Sequence, residues 1–335
     1  MREALDRRRF IAVSAAAAGL GLIPFGAPKT SAAAHVVEWR GVSLGSVATI
    51  RIHHPDPVAA QRLIEQAVGE AHRLETVFSL YRQDSSLAEL NRRGVLVAPP
   101  AELSDLLTLC DRFWRMTNGA FDPSVQPLWQ CYADHFATSG SASTGPSMAK
   151  IKDALKLVGW EKVHFDRDKV VFARPGMGLT LNGIAQGYIT DRVVESLRSG
   201  GIASCLADMG EIRGLDAQPD GRPWPVVLEA PSGKVEGAPP IPIVNKAVAT
   251  SGAAGFRFDE QGRCNHLFDP STGACADPAR NLTVVTDAAV TADALSTAFA
   301  LMDEVRIKSV LSQSGTVQVY VTTEDGTRAI PNARA

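Results

Sequence analysis

The sequence predicts an α+β fold, with largely antiparallel sheets and flanking helices. In the second half of the chain, short strand-like segments adjoin one another without regularly alternating helices, which is unlike a doubly wound sheet. The composition is that of an ordinary globular protein: 335 residues, 45% hydrophobic and 21% charged. That length is enough to bury one large core or two modest ones.

The elements of the first half follow from hydrophobic periodicity. Residues 36–52 alternate loosely and predict a pair of strands broken at Gly41 and Gly45. Apolar residues at helical spacing predict helices over 57–81 and 103–114, the second ending before Asn118-Gly119.

The second half is predicted mostly as strands. Residues 162–173 indicate a hairpin that turns at Asp166-Arg167-Asp168, and helices are expected over 184–197 and about 291–302. The remaining strand candidates are residues 204–212, 226–229, 241–250, 256–258, 283–285 and 317–323.

Residues 1–34 are typical of an export signal. Three arginines, Arg7 to Arg9, precede an apolar stretch too short to span a bilayer, and small residues end it at Ala34. Paired arginines followed by x-Phe, here Arg7-Arg8 before Arg9-Phe10, resemble a twin-arginine signal. We therefore expect a periplasmic mature domain over 35–335 that is not an integral membrane protein, while an uncleaved anchor is the alternative.

Charge and cysteine content narrow the function further. The formal net charge is -2, and no long basic stretch lies outside the N-terminus, so nucleic acid is not an expected partner. The five cysteines show no CxxC spacing, which argues against zinc and iron–sulfur sites. A disulfide is compatible with an oxidising compartment, with Cys264 and Cys275 flanking a predicted turn.

Three segments carry candidate chemistry, and each has a plain structural alternative. In the predicted helix after 290, Asp293 and Thr297 lie four residues apart on one face, offering the hard oxygen ligands that Mg²⁺ prefers. The alternative is an Asp that favours the helix dipole and a Thr that is merely buried. Residues 178–188 predict a strand, a glycine turn and a helix whose free N–H groups suit phosphate. His266 lies shortly before a predicted Asp-Pro turn, and its two interpretations are a catalytic histidine and a structural one.

In combination and order, these segments resemble the ApbE family of flavin transferases. Residues 266–273, His-Leu-Phe-Asp-Pro-Ser-Thr-Gly, are similar to a conserved box of that family. Residues 292–298 resemble its magnesium helix and residues 181–188 its pyrophosphate turn. Further similar boxes lie at 44–46, 78–91, 119–123 and 249–252, so the resemblance spans about residues 37–325.

The resemblance implies transfer of FMN from FAD to a Thr or Ser hydroxyl of an acceptor flavoprotein, with release of AMP. It implies Mg²⁺ held by Asp293, Thr297 and the Gly183 carbonyl, and His266 as the group that receives the hydroxyl proton, so that His266 and Asp293 are the catalytic candidates. The acceptor would be periplasmic or membrane-bound. The residues expected to bind FAD are Leu44, Tyr81, Gly119, Ala120, Phe121, Asp122, Thr180, Gln186, His266 and Leu267.

Four departures from the family pattern bear on activity. The family usually has Met at Leu44, Asp at Thr180 and Lys or Glu at Gln186, and its Gly-Gly-Asp box is Met209-Gly210-Glu211 here. We interpret these as a subfamily variant, similar to the branch associated with nitrous-oxide reductase maturation, which makes a regulator of that enzyme a candidate acceptor. An Mg²⁺-dependent FAD pyrophosphatase and a non-catalytic FAD-binding assembly protein are the alternatives.

Overall fold

The computed structural model describes residues 35–139, 144–234 and 239–332, and its fold is α+β, as predicted. The predicted export signal therefore lies outside the described residues. The strands are β1 His35–Ser43, β2 Ser46–His54, β3 Val95–Val97, β4 Val163–Phe165, β5 Lys169–Phe172, β6 Cys205–Asp208, β7 Ile212–Leu215, β8 Trp224–Val226, β9 Glu229–Ala230, β10 Gly233–Lys234, β11 Ile241–Ile243, β12 Ala247–Gly252, β13 Asn281–Thr286, β14 Gln318–Thr323 and β15 Gly326–Ile330. The helices are α1 Pro57–Phe78, α2 Ser86–Arg93, α3 Ala101–Met116, α4 Gln126–Ser139, α5 Met148–Leu155, α6 Ala185–Ser199, α7 Ala289–Ala300 and α8 Glu304–Leu311.

The central sheet is antiparallel and has eight strands in the order β1-β2-β6-β7-β12-β13-β14-β15. Helices α1, α6 and α7 lie on one face, and the main core fills the space between them and the sheet. Successive residues of a strand point to opposite faces, so Val284 joins this core while Val285 faces away from it. The sheet therefore buries side chains on both sides.

A small β arm covers part of the opposite face. Strand β8 pairs with β11, and β9 pairs with β10, to form two short ladders between residues 224 and 243. Trp224, which is 1% exposed, packs there with Ile243 and with the outward-facing side chains Leu206, Val248 and Val285. A separate three-stranded sheet, β3-β5-β4, contains the hairpin predicted over 162–173.

Several elements differ from the sequence expectations. Gly41 lies inside β1, so the first hairpin turns only at Leu44-Gly45, where both residues have positive φ (46° and 84°). The strand expected over 204–212 is two strands, β6 and β7, joined by a turn at 209–211. Residues 256–258 form one isolated bridge, Arg257 with Asn265, and no strand.

Helices α2, α4 and α8 were not predicted. Each is short or carries a weak apolar stripe, and tertiary packing rather than local pattern stabilises such helices. All five cysteines are free thiols, so Cys264 and Cys275 are not joined. No helix within the described residues is long and apolar enough to cross a membrane.

Candidate active site

A cavity of about 630 Å³ lies where the turn before α6, the Asp293 and Thr297 face of α7 and the β arm meet. Its volume is in the range of small-molecule and cofactor sites. All but one of the residues predicted for the site line it: Leu44, Tyr81, Ala120, Phe121, Asp122, Thr180, Gly183, Gln186, His266, Leu267, Asp293 and Thr297.

The three groups predicted to bind metal come together at the contact between α6 and α7. A Cβ at Gly183 would lie 2.8 Å from the hydroxyl oxygen of Thr297, so the glycine backbone and the hydroxyl are close neighbours. Asp293 is 3% exposed, and its Oδ2 accepts a hydrogen bond of 2.9 Å from the N–H of Gly187. A carbonyl, a hydroxyl and a carboxylate are the hard oxygen donors that suit Mg²⁺.

The electrostatics of the cavity favour a bound cation. Four buried carboxyl groups line it, those of Asp122, Asp208, Glu211 and Asp293, and burial raises the pKa of each. The pKa of Asp208 rises to about 6, against one opposing hydrogen bond from the N–H of Gly210. No Lys or Arg side chain lines the cavity in the part of the chain that the structure describes. A dianionic pyrophosphate placed here would meet no Lys or Arg charge from the described lining, so a bound cation would offset its charge.

Glu211 and Asp208 were not predicted as site residues. Their carboxyls act on each other through like charge, and the pKa of Glu211 rises first from burial and then from the charges of Asp293 and Asp208. The sequence signal that could have found them is Met209-Gly210-Glu211, the counterpart of the family's Gly-Gly-Asp box, which forms the turn between β6 and β7.

The turn before α6 differs from its prediction in two ways. Residues 178–181 form no strand, because the Asn91 side chain satisfies both backbone groups of Leu179, donating to its oxygen at 2.8 Å and accepting from its nitrogen at 2.7 Å. The predicted phosphate cradle is also partly occupied. The N–H groups of Ile184 and Ala185 donate to the carbonyl of Leu181, and that of Gly187 donates to Asp293.

Thr180 and Gln186 line the cavity on either side of this turn. The Thr180 hydroxyl accepts from the N–H of Asn182 at 3.3 Å, and the Gln186 amide donates to the hydroxyl of Ser46 at 2.6 Å. Gln186 therefore joins α6 to the first hairpin, which holds Leu44 at the cavity wall. A neutral amide makes this link, at a position where the resemblance to the family implied a charge.

His266 faces the cavity with its pKa lowered by burial. Its Nδ1 lies 3.3 Å from the carbonyl oxygen of Phe256, and a carbonyl can only accept, so Nδ1 carries the proton. The other ring nitrogen, Nε2, is then unprotonated in the neutral ring and can accept a proton. Gly255 permits the close packing, since a Cβ there would lie 2.9 Å from Cε1 of the ring.

The predicted residues 119–122 divide between two roles. Ala120 and Phe121 form a buried apolar part of the cavity wall. Asp122 lines the cavity too, but its carboxylate accepts from the Ser124 N–H and hydroxyl and from the Trp160 N–H, so it stabilises the local chain. Gly119 is not in the lining; it lies at φ 80° in the left-handed turn after α3, beside a recess of about 50 Å³.

An aromatic wall was missed by the sequence reasoning. Trp129 of α4 and Phe256 both line the cavity, with ring centroids 6.3 Å apart, and Phe268 belongs to the same lining. Tyr81, 43% exposed, stands near the turn before α6, with its hydroxyl oxygen 3.4 Å from the Asn182 amide nitrogen. Such rings suit the flat surface of an isoalloxazine or an adenine.

Comparison with known proteins gives a consistent result. The family model described as "ApbE family" matches residues 44–321. A Vibrio cholerae relative named "FAD:protein FMN transferase" is 27% identical over 307 residues, covering 88% of this chain and 90% of the relative. One of the same name from Escherichia coli K12 is 25% identical over 314 residues, covering 89% and 87%.

The solved structures agree in fold. An ApbE protein from Thermotoga maritima superposes with a TM-score of 0.77 at 27% identity, covering 88% of this chain and 97% of that one. The flavin transferase ApbE from Vibrio cholerae superposes with a TM-score of 0.76 at 24% identity, covering 90% and 98%. Because the family model spans most of the chain, and includes the turn before α6, His266 and α7, this protein belongs to the ApbE family.

Proposed function

We propose that this chain transfers FMN from FAD to a Thr or Ser hydroxyl of an acceptor flavoprotein, in a reaction that requires Mg²⁺. The observation that carries the proposal is one cavity where Gly183, Asp293, Thr297 and His266 meet, in a member of the ApbE family. The curated relatives bear the name of this activity.

The residues divide the chemistry between them. Asp293, Thr297 and the Gly183 carbonyl would hold Mg²⁺, which offsets the pyrophosphate charge and stabilises the charge that develops on the leaving group. The aromatic wall and the apolar surface of Leu44 and Phe121 hold and orient the flavin and adenine ends. Burial of these groups excludes water from the reacting phosphorus.

His266 receives the proton of the attacking hydroxyl on Nε2. The acceptor oxygen forms a bond to the FMN phosphorus, the bond from that phosphorus to the AMP oxygen breaks, and AMP leaves. The lowered pKa of His266 keeps the ring neutral, as a proton acceptor, at neutral pH.

We further propose that residues 1–34 direct export to the periplasm by the twin-arginine route, on the strength of Arg7 to Arg9 and the short apolar stretch. The acceptor is then a periplasmic or membrane-bound flavoprotein. A regulator of nitrous-oxide reductase is one candidate. Replacing Arg7 and Arg8 by Lys should leave the protein in the cytoplasmic fraction; unchanged periplasmic recovery would contradict the route.

The test of activity incubates residues 35–335 with FAD, MgCl2 and candidate acceptor domains. In-gel flavin fluorescence and the mass of the acceptor report transfer. Asp293→Ala should abolish it, whereas Asp153→Ala, an exposed carboxylate on α5, should not.

Full transfer by Asp293→Ala would refute the metal assignment. Release of FMN and AMP without an adduct would instead indicate a pyrophosphatase, with water as the attacking group. Tight FAD binding without turnover would indicate an assembly protein.

A further inference from the structure

The three proposed metal-binding groups belong to two different helices. Gly183 lies in the turn before α6, while Asp293 and Thr297 lie on α7. Their mutual geometry therefore depends on how α6 and α7 are held against each other. A feature that fixes this contact fixes the metal site, even without touching the metal.

Asp191 is such a feature. Its Oδ1 accepts from the backbone N–H of Ala289 at 2.8 Å, and its Oδ2 accepts from that of Val290 at 3.0 Å. These are the first two residues of α7, whose own N-cap residue, Ala288, makes no side-chain cap. The first N–H groups of a helix lack partners within the helix, so a carboxylate from α6 takes the place of a local cap.

A second connection lies one helical turn away. Gly187 precedes Asp191 by four residues on α6, and Asp293 follows Ala289 by four on α7. The Gly187 N–H donates to Asp293 at 2.9 Å. Side chain-to-backbone hydrogen bonds thus join the two helices in both directions. The Asp191 carboxylate of α6 accepts from the α7 backbone, and the Asp293 carboxylate of α7 accepts from the α6 backbone.

Arg213 of β7 completes the arrangement. Its guanidinium donates to Asp191 Oδ1 at 2.6 Å, and the two side chains are 24% and 16% exposed. This pairing offsets the cost of burying the carboxylate. It also ties the helix pair to the central sheet.

We propose that Asp191 is a positioning residue for the metal site: by capping α7 from α6, it sets Asp293 and Thr297 in register with the Gly183 carbonyl. This inference rests on the proposed function, because it assumes that these three groups hold Mg²⁺. Loss of a residue that orients metal ligands without touching the metal typically weakens metal binding by about 10- to 100-fold. Asp191→Ala should weaken metal binding by that order.

The test measures binding of Mn²⁺ alone, as a probe for Mg²⁺, by the electron paramagnetic resonance signal of the free ion. Wild type should bind, Asp293→Ala should not, and Asp191→Ala should bind about 10- to 100-fold more weakly. The matched control is Asp56→Ala. Asp56 also caps a helix with two hydrogen bonds, its Oδ1 accepting from the N–H groups of Val58 and Ala59 of α1 at 2.8 and 3.1 Å, away from the cavity lining. Its variant should bind Mn²⁺ as wild type does.

Two further variants separate position from charge. Asp191→Asn keeps one acceptor oxygen and loses the charge, so it should lie between wild type and Asp191→Ala. Arg213→Gln keeps the cap and should bind Mn²⁺ within about threefold of wild type. Equal losses in Asp191→Asn and Asp191→Ala, or a loss in Arg213→Gln as large as in Asp191→Ala, would show that charge and not capping matters.

Kinetics supply the second readout. Asp191→Ala should raise the KM for Mg²⁺ while kcat at saturating MgCl2 stays near that of wild type, a split that a general loss of folded protein would not give. Wild-type Mn²⁺ affinity in Asp191→Ala would overturn the inference while leaving the proposed function intact. Equal Mn²⁺ binding by wild type and Asp293→Ala would instead refute the metal site itself.

Discussion

The contact between α6 and α7 at Gly187 leaves no room for a side chain, and this can be tested with one methyl group. A Cβ at Gly187 would lie 2.3 Å from the carbonyl oxygen of Ala289 and 2.8 Å from the Cβ of Asp293. Ordinary contact begins at 3.4 Å, so Gly187→Ala must part the helices by about 1 Å. The two nearest atoms, the carbonyl oxygen and carbon of Ala289, are backbone, which cannot turn aside as a flexible side chain can.

The expected cost can be worked from two opposing effects. Overpacking a filled site costs about 1–3 kcal/mol, while Ala in place of Gly within a helix gains about 0.5–1 kcal/mol. The free energy of unfolding of Gly187→Ala should therefore fall by about 0–2.5 kcal/mol. Mn²⁺ affinity should fall as well, since Gly187 donates to Asp293 and the two must separate.

Urea unfolding followed by circular dichroism measures the first effect, and Mn²⁺ binding the second. Gly69→Ala is the matched control: it lies on an exposed face of α1 with nothing within 4 Å of its Cβ position. It should stabilise the protein by about 0.5–1 kcal/mol and leave metal binding unchanged. If Gly187→Ala were as stable as Gly69→Ala and bound Mn²⁺ like wild type, the tight α6–α7 contact would not control the site.

Three further predictions concern the cavity. At saturating MgCl2, kcat should fall as the pH falls through the pKa of His266, which burial lowers below its ordinary 6.5, because the protonated ring cannot accept a proton. His266→Ala should lack this acid limb. An acid limb above pH 6.5 would contradict the assignment. Gln186→Lys adds a cation to a cavity lining that has no Lys or Arg in the described residues. It should lower the Kd for FAD, measured by fluorescence quenching, several-fold at low salt and less at high salt. A salt-independent change would refute the electrostatic reasoning. Asn91→Ala removes both hydrogen bonds to Leu179 and should lower the free energy of unfolding in urea by about 1–3 kcal/mol. Gln130→Ala, which removes an exposed hydrogen bond to Asp134, should lower it little. Equal values would show that the Asn91 amide does not hold the turn.

Local patterns predicted those parts of the fold that depend on local spacing. The helical repeat from 291 onward placed Asp293 and Thr297 on one face, and both line the cavity. Asn118-Gly119 predicted a left-handed turn, and both residues have positive φ (50° and 80°). The site groups on α7 and in the turn before α6 were accessible to sequence reasoning for the same reason.

Features that depend on distant partners were not predicted. The backbone of Leu179 is satisfied by Asn91, which is 88 residues away, so its extended appearance indicated a strand that does not form. Trp129 and Phe256 meet only because α4 and the segment after β12 fold together. The role of Asp191 has no local signature either, since its acceptors meet N–H groups 98 and 99 residues further along the chain.

The order of strands in the central sheet has a consequence for how the chain is made. Strand β2 pairs with β6, and this pairing joins Ile52 to Cys205. At a synthesis rate of about 5–20 residues per second, roughly 8–30 s pass between the two. During that interval the β1–β2 hairpin can form but β2 keeps a free hydrogen-bonding edge, which is the kind of surface that recruits other chains. Closure of a loop this long is slow compared with the folding of α1. We therefore expect the yield of folded protein to respond to chaperone supply.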